Sequence, residues 1–178
     1  FDSMTIFDNV AFPLREKTGL PEQEVRRKVL YELEQVALIG SEQKHPSQVS
    51  GGMVKRASLA RALIQEPEIM LFDEPTTGLD PITGRQILNL IESCHRRLGF
   101  TGIIVTHEIP RVFEIVDKVA MLHEGVVAFY GAPEEILRSS DPLVRPFVCG
   151  EGDGPDEEGS CREDDIERIK RKKEIHLR

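Results

Sequence analysis

The sequence predicts an α/β fold, a parallel sheet with helices against it, and three observations carry the prediction. Ile69-Met70-Leu71-Phe72 is apolar throughout and stops abruptly at Asp73-Glu74-Pro75, the mark of a buried strand. A helix-spaced segment from about Ile82 to Leu98 follows, with Ile87, Ile91, Cys94 and Leu98 on one face. Gly102-Ile103-Ile104-Val105-Thr106 then reads as a second buried strand, ending at His107-Glu108. Strand, helix, strand is the pattern of a parallel sheet covered by helices. Ligands of such sheets bind at the carboxyl ends of strands, where Asp73, Glu74 and His107 all fall.

Residues 1–20 carry Phe1, Met4, Ile6, Phe7, Val10 and Phe12-Pro13-Leu14, which read as short apolar elements ending at Thr18-Gly19-Leu20-Pro21. A helix starts at Pro21, with Glu22 and Glu24 in its first turn, Val25, Val29, Leu33 and Val36 at helical spacing, and Gly40 as its end. A polar loop over 41–48 holds His45-Pro46. Ser50-Gly51-Gly52 opens a helix reaching Leu63 or Ile64, with Ala57, Ala60 and Ile64 on one stripe and Pro67 beyond it. Gly99 closes the helix that ends at Leu98. A short helix takes in Val112 and Val116. Val119-Ala120-Met121-Leu122 and Val126-Val127-Ala128-Phe129-Tyr130 flank Glu124-Gly125 as a hairpin, and Pro133 begins one more helix.

Composition bounds the function. The chain has 178 residues, 39% hydrophobic and 30% charged, which suits one globular domain with a core. A net charge of −8 argues against general nucleic-acid binding. No apolar run reaches the roughly 18 residues that a membrane span needs, and no signal peptide is visible at Phe1-Asp2-Ser3. The start at Phe1 rather than Met raises the expectation that other residues precede it. Cys94, Cys149 and Cys161 are far apart and form no metal or disulfide framework, which fits reduced cytosolic thiols.

Two short patterns carry chemistry. An apolar run ending in Asp73-Glu74 supplies one carboxylate that can hold Mg²⁺ through water and a second that can polarise a water or take its proton. The bland alternative is an acidic pair at a strand–loop junction. Ser50-Gly51-Gly52-Met53 offers close backbone approach and a helix N-terminus, which suit a terminal phosphate. Taken alone, it reads as a plain helix cap beside a flexible turn.

The order of the patterns is more specific than either one. Ser50-Gly51-Gly52-Met53, Arg56, Ala60-Arg61-Ala62-Leu63, Ile69 to Pro75, Gly78-Leu79-Asp80 and Ile103 to His107 together resemble the ATP-binding-cassette (ABC) ATPases over residues 1–147. The resemblance implies an incomplete P-loop NTPase-type domain: a helical subdomain over about 1–64, a RecA-like core over about 65–147, and a charged tail over 148–178. It makes Ser50, Gly51, Gly52 and Met53 the signature loop, which binds nucleotide in trans. Asp73 becomes the Walker B residue for Mg²⁺, Glu74 the catalytic carboxylate, His107 the switch histidine toward the γ-phosphate, and Asp80 the D-loop residue at the dimer contact. Asp80 also reads as a helix cap, and the two roles are compatible. Arg56 and Arg61 read as supports of the signature helix.

A narrower resemblance is carried by Phe1 to Glu16, His45-Pro46-Ser47, Met53, Asp80-Pro81-Ile82-Thr83 and Asp141 to Phe147. These are similar to ATPases of Mla-type, Mce-associated bacterial lipid transporters. That resemblance implies an ATP-hydrolysing subunit, dimeric, on the cytoplasmic face of the bacterial inner membrane. It implies membrane permease subunits and a periplasmic Mce-type substrate-binding protein as partners, and phospholipid movement as the work done. Phe1, Met4, Phe7 and Phe12 read mostly as core, partly as a permease dock. The alternatives are a non-catalytic cassette that only binds its permease, and an ABC ATPase acting on DNA or ribosomes.

The sequence departs from the family in three respects. Met53 stands where Gln is common, which removes an amide contact. No GxxxxGKS/T run occurs, so the phosphate-gripping lysine and nest are missing from these residues. The Q-loop glutamine and the adenine-stacking aromatic are expected upstream of Phe1, and these residues alone are expected to bind ATP weakly or not at all and to be inactive as an ATPase. Residues 151–165 hold eight acidic residues and one arginine, and 166–178 six basic and two acidic ones. The basic cluster from Arg168 to Lys173 reads as part of a solvated tail, with anionic headgroups as the sharper alternative.

Overall fold

Thr5 and Asp8 together start the first helix. The Thr5 hydroxyl accepts the Asp8 backbone N–H at 3.0 Å and donates to the Asp8 carboxylate at 2.7 Å, so the opening turn is closed from both sides. In this computed structural model, which describes residues 1–149 together with Glu167 and Ile169, the helix α1 runs Ile6–Lys17. This corrects the expectation of short elements there. Pro13 lies inside α1 and is buried. Proline removes one ladder hydrogen bond, but Ile6, Phe7, Val10, Ala11 and Leu14 repeat at helical spacing and are all buried. Burial of that face, at about 1.5–3 kcal/mol per large side chain, outweighs the lost bond.

The helix α2 spans Glu22–Gln35 and buries Val25, Val29 and Leu33. It ends sooner than Gly40. Ala37 takes a left-handed φ of 54° just beyond the cap at Val36, so the chain has left the helix before the glycine. The helix α3 spans Gly51–Leu63, capped by the Ser50 hydroxyl, which accepts the Met53 N–H at 3.3 Å. Ala57, Ala60 and Ile64 are buried and join α1 and α2 in one core with Val36 and Leu38.

The strand β1, Ile69–Asp73, leads through α4, Pro81–Leu98, to β2, Thr101–Val105. The strands pair in parallel, with Ile69 opposite Thr101 and Asp73 opposite Val105. This is the strand–helix–strand unit read from the sequence. Gly99, with φ 70°, ends α4 in the left-handed conformation that favours glycine. One expectation is corrected: the apolar run of β1 is not buried throughout. Met70 and Phe72 are buried, whereas Ile69, Leu71, Ile103 and Val105 are exposed. The exposed four share one sheet face by the pairing register, and no described residue covers that face.

These elements form one compact unit, Phe1–His107; a second unit is Glu108–Arg178. In the second, a 3-10 turn over Arg111–Glu114 buries Val112 and Phe113. Val116 lies outside it, because Ile115 at φ −122° has already left helical geometry. The strands β3, Val119–His123, and β4, Val126–Gly131, form the antiparallel hairpin. Glu124 and Gly125 both take positive φ, 48° and 80°, the signature of the two-residue turn that matches strand twist. The helices α5, Pro133–Leu137, and α6, Val144–Cys149, follow. Ile136, Leu137, Val144 and Ile169 are buried. The charged tail expected over 148–178, with Cys161 and the basic cluster from Arg168 to Lys173, lies outside the described residues apart from Val148, Cys149, Glu167 and Ile169.

Candidate functional site

Glu74 is the residue around which the carboxyl ends of β1 and β2 are organised. It follows the last residue of β1 directly, and its N–H donates to the Val105 carbonyl of β2 at 2.9 Å. Its backbone is left-handed, with φ 46°, a conformation that costs a residue bearing a Cβ on the order of 1–3 kcal/mol. Pro75 adds to the tension, since a residue before proline prefers extended backbone. The conformation is held from several sides. The Glu74 carbonyl accepts the Lys55 Nζ at 3.2 Å, from α3.

The carboxylate is held as well. Oε1 lies 2.7 Å from His107 Nδ1. Oε2 accepts the Thr77 hydroxyl at 3.0 Å and the Thr106 hydroxyl at 3.2 Å. The His107 contact first, then the two hydroxyls, hold the Glu74 carboxyl below the usual glutamate value of 4.5. Glu74 is therefore an anion at neutral pH, and its side chain retains 32% exposure beside a His107 that is 71% exposed. An ionised, oriented and accessible carboxylate can polarise a water or accept its proton.

Asp73 is exposed at the end of β1, on the same sheet face as Ile69 and Leu71. Among the described residues no group of three or more His, Cys, Asp or Glu side chains could hold a metal. A metal at Asp73 therefore has to keep water or substrate oxygens in most of its coordination positions, which suits Mg²⁺.

The Ser50 run begins α3; Gly51 faces the turn before α4, and Gly52 faces α4 itself. A Cβ on Gly51 would lie 3.5 Å from Leu79 Cδ2, and one on Gly52 only 2.6 Å from Thr83 Cγ2. Gly51 is exposed, Gly52 is buried and Met53 is partly buried. Asp80 caps α4, accepting the Ile82 and Thr83 N–H groups, both at 3.0 Å. Arg56 donates to the Val36 carbonyl and to Gln86, each at 3.2 Å, and Arg61 to Asn9 at 3.2 Å. Both arginines brace α3, the supporting role read for them beside the family resemblance.

The structure thus brings Glu74 and His107 into direct contact, leaves Asp73 exposed next to Glu74 in sequence, and seats the Ser50 run against the Asp80 turn. Sequence reasoning passed over Thr77, Thr106 and Lys55. The threonines flank Glu74 and His107 closely in sequence, which is a usable signal. Lys55 lies one turn beyond Gly51 on α3, but its reach to a backbone carbonyl on another element leaves no mark in the sequence.

Residues 1–77 match the ABC transporter family. Over 155 residues, 87% of the chain, the identity is 44% with the intermembrane phospholipid transport system ATP-binding protein MlaF of Haemophilus influenzae and 42% with that of Escherichia coli K12. Over the same length it is 43% with the probable ribonucleotide transport ATP-binding protein mkl of Mycobacterium tuberculosis H37Rv. The solved structure of CbiO1 from Clostridium perfringens, part of the ABC transporter complex CbiONQ, superimposes with a TM-score of 0.70 at 34% identity, over 75% of this chain and 53% of that one. The fold is that of a partial P-loop ABC ATPase domain, and the ABC ATPases are the family that the chain resembles. Within it the chain is similar to the MlaF ATP-binding subunits, of which it spans 59% and 58% of the length in the two proteins named.

Proposed function

We propose that this chain is part of the ATP-hydrolysing subunit of an ABC transporter. The observation that supports it most directly is the Glu74 carboxylate, ionised and aimed by His107, Thr77 and Thr106 at the carboxyl ends of two parallel strands. In this reading Glu74 orients the attacking water and takes its proton. With Nδ1 of His107 against Glu74, Nε2 is the nitrogen that meets the γ-phosphate. Asp73 would hold Mg²⁺, and that ion would neutralise charge on the phosphate oxygens. Ser50, Gly51, Gly52 and Met53 meet the nucleotide of a second cassette through the α3 N-terminus, and Asp80 lies at the contact between cassettes.

In sequence, about 1–64 form the helical subdomain, about 65–147 the RecA-like core and 148–178 the charged tail. The cargo we propose is phospholipid, as the MlaF name gives for those relatives. The mkl relatives have nearly the same identity and a different named cargo, so the preference rests on Phe1 to Glu16, His45-Pro46-Ser47, Met53, Asp80 to Thr83 and Asp141 to Phe147. The partners in this reading are a second cassette, membrane permease subunits and an Mce-type periplasmic protein, with the subunit on the cytoplasmic face of the bacterial inner membrane. None of the described helices is long and apolar enough to cross a membrane.

The test is Glu74→Gln in the full-length protein assembled with its permease. Turnover is expected to fall by about a hundredfold or more, the scale set by removing a general base, while ATP still drives the cassettes together. Unchanged phosphate release would remove Glu74 from the catalytic role.

A further inference from the structure

Glu74 sits where two local preferences oppose it. Its own Cβ disfavours φ 46°, and the following Pro75 favours an extended Glu74 with φ of about −120°. If the peptide after Glu74 were to rotate toward that extended basin, the carboxylate would swing with it, away from His107 and the two threonines. The atom that reports this rotation is the Glu74 carbonyl oxygen. Lys55 Nζ donates to it at 3.2 Å from a partly buried position on α3. The other donor to that oxygen is the Thr77 N–H at 3.4 Å, longer and uncharged. A hydrogen bond from an ammonium is about twice as strong as a neutral one.

Lys55 also lies on the helix that Ser50-Gly51-Gly52 begins, one turn in. The residue that clamps the carbonyl is therefore rigidly attached to the loop assigned to the other cassette's nucleotide. We propose that Lys55 is a positioning residue, which fixes the Glu74 peptide so that the carboxylate stays aimed, and so ties the placement of α3 to the competence of Glu74. The proposal rests on the catalytic reading of Glu74 given above. Lys55 touches no substrate in it, and its charge acts on the backbone alone.

Lys55→Met keeps the aliphatic stem and deletes the donor; Lys55→Arg keeps a charged donor. In the full-length protein, Lys55→Met is expected to lower kcat by about tenfold with the KM for ATP within about twofold, the split expected when an interaction matters in the transition state and not in ground-state binding. Lys55→Arg is expected to restore most of the rate. The ring-nitrogen NMR signals of His107 are expected to shift in Lys55→Met, because the Glu74 contact at Nδ1 loosens, and to stay near wild type in Lys55→Arg. A Lys55→Met protein that is less heat-stable but has wild-type kcat and wild-type His107 ring signals would mark a merely structural contact and overturn the proposal. The two readings fail separately. If Glu74→Gln still turns over, the catalytic reading falls, whereas wild-type Lys55→Met beside an inactive Glu74→Gln removes only the role of Lys55.

Discussion

A Cβ placed on Gly52 would stand 2.6 Å from Cγ2 of Thr83, closer than side chains pack, so the start of α3 rests directly on the first turn of α4. The glycine is demanded by packing within the chain, whatever it does for a nucleotide. Thr83 cannot easily yield, since a β-branched side chain in a helix has few rotamers. Gly52→Ala is expected to destabilise the protein by about 1–3 kcal/mol, the usual cost of overpacking, read from urea unfolding. Thr83→Ser removes Cγ2 and keeps the hydroxyl, so the double variant should recover most of that loss. A double variant no more stable than Gly52→Ala would show that the Thr83 methyl is not the obstacle. Recovery of stability without recovery of turnover would separate packing from phosphate binding at Gly52.

Asp80 gives a prediction with a definite sign in pH. Its carboxylate is held below the ordinary aspartate value of 3.8 by Thr83, through side chain and backbone, and then by the Ile82 N–H. A carboxyl whose folded pKa is depressed adds stability that is fully present above the unfolded value. That stability is lost as pH falls through the folded one. Asp80→Asn keeps a side-chain oxygen for the cap but does not titrate. The difference in Tm between wild type and Asp80→Asn should be constant from neutral pH to about 5 and shrink below 3.8. Thermal scans across that range check it, and a difference that grows on acidification would contradict the cap geometry.

Much of the first unit was legible because its signals are local. Apolar residues stop abruptly at Asp73, Asp80 and Pro81 open α4, and Gly99 closes it. In the second unit Glu124-Gly125 marks the hairpin, because a two-residue turn with positive φ at both positions matches the twist of the strands. Helix α1 was misjudged because Pro13 is a strong local signal against helix, and the decisive term, burial of Val10 and Ala11 against α2 and α3, is not local. The exposed face of β1 was invisible for a related reason: an apolar run states what a strand could bury, not what lies over it. At the site, Asp73, Glu74 and His107 were legible from strand ends. The clamp by Lys55 was not, because a backbone carbonyl has no residue type to betray its partner.

The last prediction concerns how α4 is fastened to α2. Arg97, in the final turn of α4, donates to both Glu32 carboxylate oxygens at 2.9 and 3.0 Å, a bidentate pair. The Glu32 side chain is 8% exposed and that of Arg97 23%, and the guanidinium lies 5.7 Å from the Tyr31 ring centroid. Removing one partner leaves a mostly dehydrated charge behind. Glu32→Ala and Arg97→Ala are each expected to cost about 3 kcal/mol, the lower end for breaking a buried pair, because Arg97 keeps some access to water. Replacing both residues with methionine leaves no orphaned charge and fills the space. The double variant is therefore expected to be more stable than either alanine variant, as read from urea midpoints. Arg97→Lys should fall between wild type and Arg97→Ala, since an ammonium keeps the charge but loses the bidentate fork. Losses that simply add in Glu32→Ala/Arg97→Ala would show that the two side chains act independently, contrary to the geometry.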